Sequence, residues 1–78
     1  MAQVSELDLV DISWPINLLT CSRRVDMMMP GERLAVSLKN TDTIDSLVAL
    51  LKTMPDIDYH VRKDAACFLL TIEKHPGS

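Results

Sequence analysis

From Arg33 to Lys39 the chain alternates without a break: Leu34, Val36 and Leu38 fall between Arg33, Ala35, Ser37 and Lys39. A period of two is that of a strand with one buried face. Upstream, Leu7 to Ile12 reads as a short, mostly apolar strand, ended by Ser13 as a helix cap and Pro15 near the first helical position, where its missing N–H costs nothing. Leu18, Cys21, Val25, Met28 and Met29 then recur at the spacing of one helical face, with Arg23, Arg24 and Asp26 on the outer side. This pattern predicts a helix over about residues 15–29, closed by Pro30-Gly31.

Asn40-Thr41-Asp42-Thr43 supplies cap-forming side chains to a second amphipathic helix, marked by Ile44, Leu47, Val48, Leu51 and Met54 and ended before Pro55. Asp42 and Asp45 complement its dipole, which is a sufficient account of that acid pair. Ile57, Tyr59 and Val61 alternate with Asp58, His60 and Arg62, a turn follows near Lys63-Asp64-Ala65, and Phe68, Leu70 and Ile72 alternate through the last strand. The order is β-α-β-α-β-β, and each helix offers one apolar stripe. The economical packing is an α+β two-layer sandwich, with two helices on one face of a four-stranded mixed sheet. One domain over residues 1–78 is expected, its core running from about 6 to 74 and its end frayed over 75–78.

Composition narrows the function classes. The chain has 78 residues, 47% of them hydrophobic, which is ample for a packed aliphatic core. A net charge of −3 has the wrong sign for a surface that must neutralise phosphates, so nucleic acid is not the expected partner. There is no apolar run of membrane-spanning length and no signal-peptide pattern near Met1, so the cytosol is the expected location and no membrane is expected. Cys21 and Cys67 are the two cysteines and read as free thiols. With two glycines and no G-x-S-x-G there is no phosphate loop or nucleophile elbow, and no cofactor is expected.

Three further details carry a resemblance. Leu7-Asp8 lies seven residues before Trp14-Pro15, Pro30-Gly31-Glu32-Arg33-Leu34 opens the second strand, and the element order is the one given above. In these respects residues 6–74 resemble the TusA/SirA-type sulfur-carrier family. Members read Leu-Asp, then Gly-Leu, then Cys-Pro-x-Pro, and carry a persulfide on that cysteine between a desulfurase and downstream acceptors. The resemblance implies their two-layer fold and a protein partner, a cysteine desulfurase or another sulfur-relay protein. The departures fall at the reactive corner: Trp14 stands for the carrier cysteine, Asn17 for the second proline and Asp11 for the glycine. Asn40-Thr41 stands for an Asp-Pro pair and Pro55-Asp56 for a Gly-His pair.

A thiol at a helix start has its thiolate stabilised by free N–H groups and the helix dipole, and tryptophan can do none of this. The expected role is therefore a non-carrier interaction or regulatory module in sulfur trafficking, binding through Ser13, Trp14, Pro15 and Asn17, with no catalysis at Trp14. The alternative is a sulfurtransferase whose carrier thiol has moved to Cys21 or Cys67. Two readings of Trp14 stand side by side: an anchor buried between helix and sheet, or an exposed aromatic for a partner. Cys21 lies on the apolar stripe, where a buried thiol behaves as a small hydrophobe. Cys67 alternates out of phase with Phe68 and Leu70, which places it on the open sheet face. Met27-Met28-Met29 points in three directions and cannot converge on one ion, and reads as core packing. His60 and His75 lack metal-ligand spacing, so no metal is expected. The chain is expected to be a monomer or a weak homodimer, self-associating through its first strand or its open sheet face.

Overall fold

The computed structural model describes residues 4–76. Its elements are β1 (Val4–Asp8), α1 (Ile16–Asp26), β2 (Arg33–Leu38), α2 (Thr41–Leu51), β3 (Ile57–Asp64) and β4 (Cys67–Lys74). The strands form one four-stranded mixed sheet in the order β1-β2-β4-β3. β1 runs parallel to β2, whereas β4 is antiparallel to both β2 and β3. The α+β sandwich is thus as expected, with one addition: β4 is inserted between β2 and β3.

Strand alternation builds the core. Leu34, Val36 and Leu38 of β2 are buried together with Leu70 and Ile72 of β4. Cys21 and Val25 of α1, Ile44, Leu47 and Leu51 of α2, and Leu9, Met28 and Ile57 complete the same cluster. Tyr59, Val61 and Phe68 pack against its margin rather than inside it.

The ends of the elements differ from the pattern for local reasons. β1 stops at Asp8 rather than continuing to Ile12, because the Asp8 carboxylate accepts the Val10 N–H at 3.0 Å and bends the chain. Ile12 is consequently exposed. α1 ends at Asp26 rather than near Met29: the Met29 N–H is taken by Glu32 Oε1 at 2.8 Å, and the Met28 carbonyl by Lys74 Nζ at 3.1 Å. Of the three methionines only Met28 is core, while Met27 and Met29 are exposed. α2 ends at Leu51, where Thr53 and Met54 donate to carbonyls three residues back, so Met54 lies beyond the helix. His75 is not frayed, since its N–H donates to the Asp56 carbonyl at 2.9 Å and Nε2 lies 2.7 Å from Asp58 Oδ2. Residues 77–78 of the expected tail lie outside the described residues.

No helix among the described residues is long and apolar enough to cross a membrane. The Pro30-Gly31 turn is locked from several sides. Gly31 has φ +86°, its N–H donates to the Lys74 carbonyl at 2.8 Å, and Glu32 accepts the Ser5 hydroxyl as well as the Met29 N–H.

Candidate functional site

The carboxyl ends of β1 and β2 and the starts of α1 and α2 meet at one end of the molecule. The chain leaving β1 (Leu9 to Trp14) and the chain leaving β2 (Lys39 to Thr41) wall an open cleft of about 520 Å³, with Asn17 between them. A crevice outside the carboxyl ends of parallel strands, facing helix starts, is where open α/β sheets expose backbone and side-chain donors.

Trp14 sits immediately before α1, and the Trp14–Pro15 peptide is cis. Its side chain is 59% exposed, which settles its two readings in favour of a surface aromatic. It has apolar company. Ile12, Ile16 and Leu19 are also exposed, and Ile16 and Leu19 lie three apart on the helix side away from Asn17 and Cys21. Hydropathy already places Leu19 off the apolar stripe of Leu18, Cys21 and Val25, and that was the available signal for its exposure. Pro15 is exposed and forms the N-cap of α1.

Ser13 acts differently from the expected cap. No side chain caps α1; instead the Ser13 carbonyl accepts the Asn17 N–H at 3.0 Å. Asn17 Oδ1 accepts the Leu18 N–H at 2.7 Å. The Asn17 and Leu18 donors of the helix start are therefore already engaged, and Pro15 brings none. The dipole remains, but a charged group at position 14 would find fewer free N–H groups than at an ordinary helix opening.

Asn17 is not offered to solvent as a binding side chain. It is 3% exposed, and its Nδ2 donates at 3.1 Å to Oγ1 of Thr43, which is fully buried. This bond ties the first turn of α1 to the first turn of α2 and so fixes the floor of the cleft. The sequence reading missed Thr43, because a threonine beside Asn40 reads as part of the cap. Asn40 does perform that role, accepting the Asp42 N–H at 2.8 Å. Charge at the rim is mixed, with Asp11 and Lys39 both lining the cleft.

Neither thiol lines this cleft. Cys21 is fully buried on α1, and burial pushes its thiol up from 9.0 to about 11, the opposing pull of Arg24 being smaller. It stays protonated at neutral pH, which argues against it as a relocated carrier. Cys67 lies at the start of β4 on the helix-free face and is half-buried. His60 is exposed on β3. Among the described residues no three His, Cys, Asp or Glu side chains gather where they could hold a metal ion. No protein family, curated protein or solved structure matches the chain.

Proposed function

We propose that this chain is a TusA/SirA-like domain without carrier chemistry, serving as a protein-interaction or regulatory module in sulfur trafficking. The observation that carries the reading is Trp14. At the position where the resemblance implies a persulfide cysteine, an indole stands 59% exposed on the wall of a cleft that Ile12 also lines, and Ile16 and Leu19 are exposed on the first turns of α1. An exposed aromatic anchor with exposed aliphatic residues close to it in the chain suits a protein partner, since hot spots are enriched in tryptophan and surrounded by contacts that exclude water. The burial of Cys21 supports the same reading, because it leaves no accessible thiol on α1 to do the carrier's work.

The partner class is a cysteine desulfurase or another sulfur-relay protein. Isothermal titration against a cysteine desulfurase of such a relay is expected to detect binding that Trp14→Ala weakens by about 30-fold, the loss typical of a hot-spot residue. Incubated with the desulfurase and cysteine, the wild-type chain is expected to gain no mass, whereas Trp14→Cys gains one sulfur atom. A persulfide on Cys21 or Cys67 of the wild type would refute the reading in favour of a relocated carrier.

A further inference from the structure

The strand order leaves β3 on an edge of the sheet, and the register identifies which of its backbone groups are unused. In an antiparallel ladder, directly opposed residues alternate between pairs that exchange N–H to carbonyl bonds and pairs that do not. One step before the Ile57–Lys74 pair, the His75 N–H donates to the Asp56 carbonyl at 2.9 Å, so the even-numbered residues of β3 are the ones bonded to β4. Tyr59, Val61 and Lys63 therefore turn their N–H and carbonyl groups away from the sheet, and among the described residues no loop or turn backbone meets them. Ile57 adds its carbonyl, its N–H being turned to the Met54 carbonyl at 3.3 Å. On the helix side, Val61 and Phe68 with Ile44 and Val48 line a groove of about 630 Å³ between α2 and the β3–β4 hairpin. An unpaired edge and an uncovered apolar groove thus lie side by side.

We infer that β3 pairs with β3 of a second copy, antiparallel about a two-fold axis that passes through His60 perpendicular to the sheet, joining two four-stranded sheets into one. A row of donors and acceptors two residues apart is matched along its length by another extended backbone, the basis of strand addition to sheet edges. In this register residues 57–63 of the two copies align. Tyr59 exchanges both bonds with Val61 of the other copy and the Lys63 N–H reaches the carbonyl of Ile57, each twice. Tyr59 then stands beside Val61 on the helix side, at the open flank of the groove, and Asp58 beside Arg62 on the other side. Sliding the strands two residues one way would oppose Asp58 to Asp64. Sliding them the other way would oppose Lys63 to Pro55, which has no N–H, and shorten the ladder to 57–61. The one like-charge approach in the chosen register, Asp64 to Asp56, falls outside the aligned stretch. β1, paired with itself about its centre, would set Glu6 against Glu6. Because the two-fold occupies the β3 edge of both copies, assembly stops at two.

The length of the seam sets the strength. Seven residues at about 3.3 Å each span about 23 Å, roughly 230 Å² per copy for a layer about 10 Å thick. The pair falls well short of the ~1,200 Å² of a stable standard interface, so association is weak and concentration-dependent. β3 is the edge opposite β1, so the pairing stands or falls separately from the role given to Trp14.

The test is sedimentation equilibrium of the intact chain up to about 1 mM, with amide hydrogen exchange followed by NMR over the same dilution series. The expected result is a reversible dimer in which the Tyr59, Val61 and Lys63 amides, open to water in the monomer, become protected as concentration rises. Val61→Pro removes an N–H that no β4 carbonyl uses, a substitution that edge strands tolerate, and should leave the chain monomeric at about 1 mM. Arg62→Asp sets carboxylates at 58 and 62 against each other twice and should weaken association by about tenfold. Adding Asp58→Arg restores an opposed pair and should bring association back to within about threefold of wild type, although Asp58 also gives up His75 of its own chain. Melting temperatures establish that each variant is folded, and the charge exchange decides the matter should Val61→Pro not fold. A chain that stays monomeric throughout, a dimer that leaves those three amides unprotected, a folded Val61→Pro variant that dimerises like wild type, or a double variant no better than Arg62→Asp would each overturn the inference.

Discussion

Replacing Thr43 by valine keeps the shape of the side chain and removes only its hydroxyl, so its cost reads the Asn17–Thr43 bond directly. Asn17 Nδ2 donates to Thr43 Oγ1 at 3.1 Å in a site where the two residues are 3% and 0% exposed. Without the acceptor the amide is buried and unsatisfied, which costs about 1–3 kcal/mol. A domain of this size has roughly 3–5 kcal/mol of net stability, so the single change consumes a large share of it. At about 4–8 °C per kcal/mol, the melting temperature should fall by roughly 5–20 °C. Thermal and urea unfolding followed by circular dichroism measure it, with the urea slope checking that the denatured state is unchanged. Asn17→Ala and the double variant complete a cycle in which the two losses should be non-additive by about 0.5 kcal/mol or more. Because the bond sets the floor of the cleft, Thr43→Val should also weaken partner binding without altering any solvent-facing side chain. A cost below about 0.5 kcal/mol with additive single variants would show that the two helix starts are held together by something else.

Trp14→Ala should leave stability within about 0.5 kcal/mol of wild type, because the indole is already largely in water; a large drop in melting temperature would make it a packing residue. In native protein, iodoacetamide should modify Cys67 well before Cys21, as mass spectrometry of timed digests would reveal. Folding favours the neutral Cys21 thiol, so the stability this adds is complete below pH 9.0 and is lost as pH rises towards about 11. Urea unfolding across that range should show the loss, and Cys21→Ala should remove that part of the alkaline slope. Gly31→Ala should cost about 1–2 kcal/mol from backbone conformation alone, since φ is +86° and nothing lies within 4 Å of an added Cβ. Ala65, at φ +37°, should respond in the opposite sense: Ala65→Gly is expected to raise the melting temperature.

The α+β layers were legible because β2, α2 and the β3–β4 hairpin each put their large aliphatic residues on one face. Leu34, Val36 and Leu38 are buried as their period requires, and Asn40 caps α2 as its side chain allows. What hydropathy could not carry is where contacts distant in sequence interrupt a pattern. Met29 continues an apolar period on paper, but Glu32 and Lys74 claim the backbone around it and the helix ends three residues sooner. Val10 and Ile12 look like strand residues, yet the Asp8 carboxylate offers a local hydrogen bond that bends the chain first. At the site, tryptophan suits a core and a rim equally well, so its exposure needed the fold around Pro15. Thr43 was hidden for the opposite reason, since a polar residue near a helix start reads as a cap until its burial is known.

The sheet order has a consequence for biosynthesis. β4 lies between β2 and β3, and both of its neighbours hydrogen-bond to it along most of its length. A nascent chain that has left the ribosome only as far as Asp64 lacks the strand that β2 and β3 both pair with, so β1 and β2 have only each other and β3 has no strand beside it. Emergence of Cys67–Lys74 supplies the missing central ladder to both sides at once. Folding on the ribosome should therefore come late and in a single step, and a fragment truncated before Cys67 should be a substrate for proteases rather than a smaller version of the same domain.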